Sequence, residues 1–391
     1  DAIVLPDSPP SREFFVFCCE NLKLDPSQAI FRTDDSVVHE DVMTWASSTG
    51  LKDSRVVIVP YGDPRSVVEL HGNLTSINSR VYADDIAAGS HLSPRVMLTR
   101  MNPSQPDEQS WIEQHTVVGI DGIPTTRGYL CYTVDHLLNV SKILAAEGHP
   151  HLMIKPMKKD GGYGILRVKN NAHQLRYYDF AFGPVSVEPT LTLDLDADGL
   201  VRNFTVVSFG CDEIAFSEQL LLGVRCVGVR QRLESSLTAE EQKLAAWSKA
   251  LLSSMGARGP TSIEFLFVNG IPVCADINPG RFGREHIALQ FYAGLNTPSL
   301  RFMCHVRTPP DGLDVFSLLS RLFDHDAATF NPESPGEGGI FPLYYLRGIS
   351  ANFIILAETD EKIQQLRGVL ETCLNAEPSA DGTLEQGAIF D

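Results

Sequence analysis

The sequence predicts an α+β protein in three parts, and three observations carry that prediction. A helical pattern from Thr133 to Gly148 leads into a strand at His151–Ile154. A capped helix opening at Thr238 is followed by two strands around Asn269-Gly270. A strand and a helix of their own, Phe353–Leu356 and about Glu361–Leu374, close the chain. With 391 residues the chain exceeds one ordinary core, which favours two or three domains. The expected parts are an N-terminal α/β segment at 1–92, a central domain at 93–307 and a small C-terminal α/β extension at 308–391.

Each element has a local cause. In segment 1–92, Val56–Val59 is a strand candidate ended by Pro60-Tyr61-Gly62-Asp63-Pro64. In the next helix Thr133 is the expected cap, Leu137, Leu138, Ile143 and Leu144 form the apolar face, and Gly148 terminates it. Thr238-Ala239-Glu240-Glu241 matches a capping box. Leu244, Trp247, Leu251 and Met255 then recur at helical spacing up to Gly256. Ile263–Val268 and Ile271–Ile277 read as a hairpin. Pro309-Pro310 and the stretch from Pro332 to Gly339 read as linkers. In the last helix Ile363, Leu366, Val369, Leu370 and Cys373 point inward.

Composition excludes several function classes. Apolar residues make up 43% and charged residues 21%, the balance of a globular protein. No run approaches the roughly 20 apolar residues of a membrane span, and no charged-then-apolar leader opens the chain at Asp1. The net charge of −17 gives no footprint for nucleic acid or an anionic membrane. The eight Cys form no CxxC pair, which fits a reducing, cytoplasmic setting.

Two segments carry chemistry. In the first, the strand Met153-Ile154-Lys155 leads into a loop containing Gly161, Gly162 and Gly164. Glycines let backbone N–H groups approach phosphate oxygens, and Lys155 adds a point charge. A tight hairpin with a solvated lysine is the plainer reading, and it stands beside the phosphate one. The run is neither GxxxxGK[ST] nor GxGxxG.

In the second, Glu264 sits inside an apolar strand, while Asp276 and Asn278 alternate late in its partner. Alternation puts Asp276 and Asn278 on one face. Three oxygen donors together suit magnesium or manganese, hard cations that take one or two carboxylates plus phosphate oxygens. A strict two-residue turn at Asn269-Gly270 pairs Glu264 with Ala275 and turns Asp276 away. The expectation is therefore a three-residue turn with a glycine bulge and Gly270 at positive φ, which restores the shared face. Arg281, just beyond, is placed to meet an anion, with Arg284 as its rival.

Together these segments resemble the ATP-grasp superfamily, in which a strand Lys and a Gly-rich loop cover the ATP phosphates while a later acid and an [E/D]-x-N-x-R run hold two metals. Asp276-Ile277-Asn278-Pro279-Gly280-Arg281 departs from that run by Asp in place of the commoner Glu and by one extra residue before Arg. Gly122–Gly128 looks like the family's lead-in, and Arg95 or Arg100 would replace its earlier ATP-contacting Lys. The resemblance covers residues 120–305 and implies an ATP-grasp fold with an N-terminal pre-ATP-grasp domain. It also implies an adenine hinge at 185–189, where backbone groups of Ser186 and Val187 read the adenine and Glu188 holds the ribose. Arg225 and Arg230 fall where the family contacts substrate or an acyl phosphate, although a surface role fits them equally.

What the resemblance implies chemically is an ATP- and magnesium-dependent ligase. A carboxylate becomes an acyl phosphate, and an amine then displaces phosphate to give an amide or peptide bond. Its partners would be small-molecule acids and amines from a biosynthetic pathway, and a homodimer is compatible. A thiol or hydroxyl acceptor, or a non-catalytic ATP-binding protein, are the alternatives. No carrier-type Met-Lys-Met appears, which argues against a biotin-dependent carboxylase. Two decoys remain. Asp194–Gly199 imitates the start of a calcium loop but has Thr205 where an EF-hand needs Glu, so a hairpin turn fits better. The histidines show no ligand spacing.

Overall fold

The computed structural model describes residues 3–6, 12–16, 19 and 29–32, and most of 128–375. Short stretches such as 157–164, 255–259 and 280–282 are excepted. The strand expected at Val56–Val59 lies outside the described residues. The chain divides into two compact units, residues 43–291 and residues 1–42 with 292–391.

In the unit 43–291, the strands β1 (Tyr129–Cys131), β2 (His151–Pro156), β3 (Leu166–Lys169) and β4 (Val185–Pro189) form one antiparallel sheet in the order β1-β4-β2-β3. Helix α1 (Val134–Ala146) packs on one face of it. Thr133 caps α1, its hydroxyl accepting the His136 N–H at 3.2 Å, and Gly148 follows at φ 88°. Leu137, Val140, Leu144, Leu152 and Ile154 are fully buried between helix and sheet.

A second antiparallel sheet of the same unit comprises β5 (Asn203–Gly210), β6 (Glu213–Leu222), β7 (Arg225–Arg232), β8 (Thr261–Val268) and β9 (Ile271–Pro279). Their order is β9-β8-β5-β6-β7. Helix α2 (Ala239–Ser254) backs one face. The capping box forms: the Glu241 N–H donates to the Thr238 hydroxyl at 3.2 Å, and the Thr238 N–H donates to Glu241 Oε2 at 2.8 Å. Even-numbered Phe204, Val206 and Phe216 and odd-numbered Ile263, Phe265 and Ile277 fill the core under α2. Trp247 meets Phe265 edge-on at 5.6 Å. The intervening residues of each strand, Glu264 among them, therefore face the other way.

In the other unit, β10 (Arg301–Arg307), β11 (Gly339–Leu346) and β12 (Ser350–Ala357) form an antiparallel group in which β12 lies between the other two. Helix α3 (Arg284–Leu295) links the units in sequence. Helices α4 (Val315–Asp324) and α5 (Asp360–Asn375) pack on one another and α5 on β12. The expected inward face of α5 is buried at Ile363, Leu366, Leu370 and Cys373, with Val369 half-buried. Helix α4 has no counterpart among the elements expected from the sequence. Within the expected linker before β11, Pro335–Glu337 forms a short 3-10 turn.

Candidate functional site

Burial alternates strictly along β2, with Leu152 and Ile154 inward and His151, Met153 and Lys155 on the face away from α1. Lys155 pairs with Ser186 across the β2–β4 ladder, and Glu188 follows two residues later on the same face. The Lys155 ammonium lies 2.9 Å from Glu188 Oε2. The Ser186 hydroxyl donates to Glu188 Oε1 at 3.2 Å. The Glu188 side chain is only 3% exposed and engages both oxygens within this face. Burial pulls the Lys155 pKa down, but Glu188, then Asp276 and Glu264, outweigh it and leave the group above the ordinary lysine value. The acidic hairpin of the second sheet thus lies within electrostatic range of the lysine strand.

That hairpin reaches the expected geometry by a different route. Val268 pairs with Ile271, so the turn holds only Asn269 and Gly270, at φ 52° and 76°. This is the two-residue turn with both central residues left-handed that Asn-Gly favours. The extra residue is Ala275, inside β9: Glu264 pairs with Asp276 while Phe265 pairs with Cys274. The bulge therefore lies in the strand and not in the turn, and it puts Glu264, Asp276 and Asn278 on one face. The Asn278 amide nitrogen donates to Glu264 Oε1 and to Asp276 Oδ2, each at 3.2 Å. Two carboxylates tied by an amide are a hard-oxygen donor set that fits magnesium or manganese.

The turn is itself held from elsewhere. Asp194 accepts the Asn269 N–H at 2.9 Å and the Gly270 N–H at 2.6 Å. The supposed calcium loop is a turn: Leu195 bridges Val201, and Gly199 at φ 75° donates its N–H to the Asp196 carbonyl.

The arginines separate. Arg230 pairs with Glu218 through two hydrogen bonds, 2.8 and 3.2 Å. It neighbours Gln231, whose row partners run through Ser217 and Thr205 to Glu264. Strand alternation therefore turns Arg230 to the α2 face, away from the acidic group. Arg284, at the start of α3, is drawn closer. Burial pushes the Cys226 thiol up against the pull of the Arg284 guanidinium, and Glu264 adds to the rise. Arg284 and Glu264 thus act on one atom. Arg281, Gly161, Gly162, Gly164, Arg95, Arg100 and the Gly122–Arg127 run lie outside the described residues, as does the side chain of Arg225.

Ser186 and Val187 sit between β1 and β2, paired on both sides. Their backbone groups serve the two ladders, which removes the edge-reading role expected of them. β1 ends opposite Val187, while β2 continues opposite Glu188 and Pro189. The Thr190 N–H donates to the His151 carbonyl at 3.1 Å. The Pro189 carbonyl, in the same trans peptide as that N–H, points to the opposite side, toward β1.

One residue without any motif matters locally. His286 is fully buried. Its Nδ1 accepts the Gly283 N–H at 3.0 Å and its Nε2 meets the Ser208 carbonyl at 3.1 Å, so the hydrogen resides on Nε2. It fastens the start of α3, and with it Arg284, to β5.

The sequence matches no family model and no curated protein sequence significantly. Solved structures do resemble it. N5-carboxyaminoimidazole ribonucleotide synthetase from Thermus thermophilus aligns over 97% of this chain and 93% of its own, at TM-score 0.58 and 13% identity. An Aspergillus clavatus N5-carboxyaminoimidazole synthase in complex with ADP and its ribonucleotide aligns over 95% and 92%, at TM-score 0.56 and 13% identity. A Campylobacter jejuni biotin carboxylase in complex with a nucleotide aligns over 92% and 82%, at TM-score 0.54 and 13% identity. The lysine strand, the acidic hairpin and this likeness over nearly the whole chain agree: the protein has the ATP-grasp fold.

Proposed function

We propose that the chain binds ATP with magnesium between the two sheets of residues 128–291 and uses it to activate a carboxylate for attack by an amine. One observation carries this reading: Lys155 feels Asp276 and Glu264 directly, although they belong to different sheets. A lysine and a pair of carboxylates within electrostatic range of one another are what a triphosphate with its cations requires. The likeness to a nucleotide-bound synthase supports it at the level of fold.

In this reading Glu264 and Asp276 hold the metal, and Asn278 keeps the two carboxylates together. Bound magnesium supplies charge neutralisation on the phosphate oxygens. Lys155 adds a fixed positive charge from the other side, and Arg284 faces the anion that the acid presents. Glu188, with both oxygens engaged, serves as counter-ion to Lys155 and not as a ribose acceptor. The adenine edge falls to the Pro189 carbonyl. The γ-phosphoryl group moves to the substrate carboxylate, leaving ADP; the amine then forms the C–N bond as phosphate leaves. The chain's contribution is positioning and charge, with no side-chain nucleophile.

The test is ADP release over a panel of amino acids and dipeptides, with and without an added amine. Glu264→Gln should lower turnover by about 100-fold or more, the scale of losing one pre-organised electrostatic group, while circular dichroism stays unchanged. Normal turnover by that variant would end the metal assignment. ADP release that ignores added amines but responds to a thiol would replace the acceptor class and keep the rest.

A further inference from the structure

The pairing registers of the second sheet place five side chains in one unbroken row: Asp276, Glu264, Thr205, Ser217 and Gln231. Residues directly opposite on neighbouring strands point to the same side. This side is the one turned away from the apolar core under α2, since Phe204, Phe216, Phe265 and Ile277 all occupy the alternate positions. The first two members are the candidate metal ligands. The other three have a common peculiarity. Thr205 and Ser217 are completely buried, and Thr205 Oγ1, Ser217 Oγ and Gln231 Oε1 have no hydrogen-bond partner among the described residues.

Folding alone gives no reason for this. An unsatisfied buried polar atom costs about 1–3 kcal/mol, and valine, alanine or leucine would fit the same places without that cost. Three such atoms in one line, starting at the acidic pair, point to a ligand that satisfies them. Three inter-strand steps separate Glu264 from Gln231, about 14 Å in all, the length of a small molecule with its reacting group at the metal end. The three residues are uncharged, and each can accept or donate hydrogen bonds. A charged group lying on them would be buried without a counter-charge.

We infer that Thr205, Ser217 and Gln231 form the specificity subsite for the acid substrate. They would bind an uncharged chain bearing hydroxyl or amide groups that extends from the carboxylate being activated. The inference rests on the ligase reading and adds the substrate class to it. A site of this kind discriminates strongly, because an apolar analogue leaves its polar atoms unpaired again.

The experiment compares near-isosteric acids, threonine with valine and asparagine with leucine, on the full chain with Mg-ATP and an amine. It reads ADP release and the shift in melting temperature. The polar member of each pair is expected to act at least about tenfold better. Thr205→Val, Ser217→Ala and Gln231→Leu are expected to erase that preference while their own melting temperatures hold or rise. Equal responses to polar and apolar acids, including no response to either, overturn the inference. So do variants whose melting temperatures fall, because then the hydroxyls and the amide have partners within the fold. Wild-type protein that fails to bind Mg-ATP sinks the ligase reading itself; retained Mg-ATP binding without a polar preference sinks only the subsite.

Discussion

Lys155 and Glu188 meet at 2.9 Å on neighbouring strands of one sheet, with 17% and 3% of their side chains exposed. Removing one partner of such a pair leaves the other charged in a site that cannot solvate it, at a cost of about 3–5 kcal/mol. Lys155→Met should therefore destabilise the protein more than the double variant Lys155→Met/Glu188→Gln, measured by urea unfolding. Because the folded pKa of Lys155 is raised above its ordinary 10.5, its contribution is complete below pH 10.5 and disappears as pH rises through the folded value. Wild type and Lys155→Met should thus converge in stability in strongly alkaline buffer. The counter-ion role has its own signature. Glu188→Gln should weaken ATP and 3′-deoxy-ATP by equal factors, whereas a ribose acceptor would lose its preference for ATP.

Arg230 is the sequence candidate most displaced by the structure. It pairs with Glu218 on the α2 face, with two strands between its own and the acidic hairpin. Arg230→Gln should lower stability by about 1 kcal/mol, since the pair is only partly exposed. Turnover should stay within about threefold of wild type, far from what loss of a group contacting the transition state would cause. Arg284→Gln should behave in the opposite way, with stability kept and kcat/KM reduced.

The turn of the acidic hairpin offers a third check. Asp194 accepts two backbone N–H groups there, from Asn269 and Gly270. Asp194→Ala should cost about 1–2 kcal/mol, the scale of hydrogen bonds to a charged group in a mostly exposed site. Gly270→Ala should cost about 1 kcal/mol for backbone reasons alone, because φ is 76° and a Cβ would touch nothing within 4 Å. Calcium should not alter the melting temperature of either the wild type or Gly270→Ala, since Asp194 and Asp196 accept backbone N–H groups of the turns.

How far the sequence revealed this site depends on the kind of information involved. Parity was legible: Asp276 and Asn278 alternate, and an apolar strand holding Glu264 demands a buried face on its other side. The requirement for one extra residue was also legible. Its location was not, because Asn269-Gly270 satisfies a two-residue turn by itself, while Ala275 carries no chemical mark of a bulge. The cap at Thr133 and the box at Thr238–Glu241 were local and therefore readable. Arg230 was misplaced for the converse reason. Its strand was visible, but its face depends on registers running through four strands to Glu264. His286, Asp194 and the Thr205–Ser217–Gln231 row depend on partners distant along the chain and leave no motif.

The unit containing residues 292–391 makes a prediction of its own. His305, 1% exposed, directs Nε2 at Glu371 Oε1 from β10, 2.5 Å away, and Arg307 binds the same carboxylate from two residues along the strand. One acid on α5 thus fastens the helix to β10. Burial lowers the His305 pKa below its usual 6.5, against the opposing pull of Glu371. Burial also acts to raise the Glu371 pKa, but hydrogen bonds from Arg307 and His305 prevail and hold it below 4.5. Both shifts have the same consequence. A histidine kept neutral favours the folded state above pH 6.5 and loses that contribution as pH falls through its lowered value. A carboxylate kept charged favours it above pH 4.5 and loses that contribution through its own lowered value. Acidification from pH 7 should therefore loosen α5 in two stages, the first due to His305. Protection of the α5 amides against hydrogen exchange should fall as pH drops below 6.5 in the wild type and hold over that range in His305→Phe, which keeps Arg307 on Glu371. In Glu371→Gln the second stage should vanish and the first should deepen, because without the carboxylate burial lowers the His305 pKa further. A first stage that persists in His305→Phe would assign the transition to a different group.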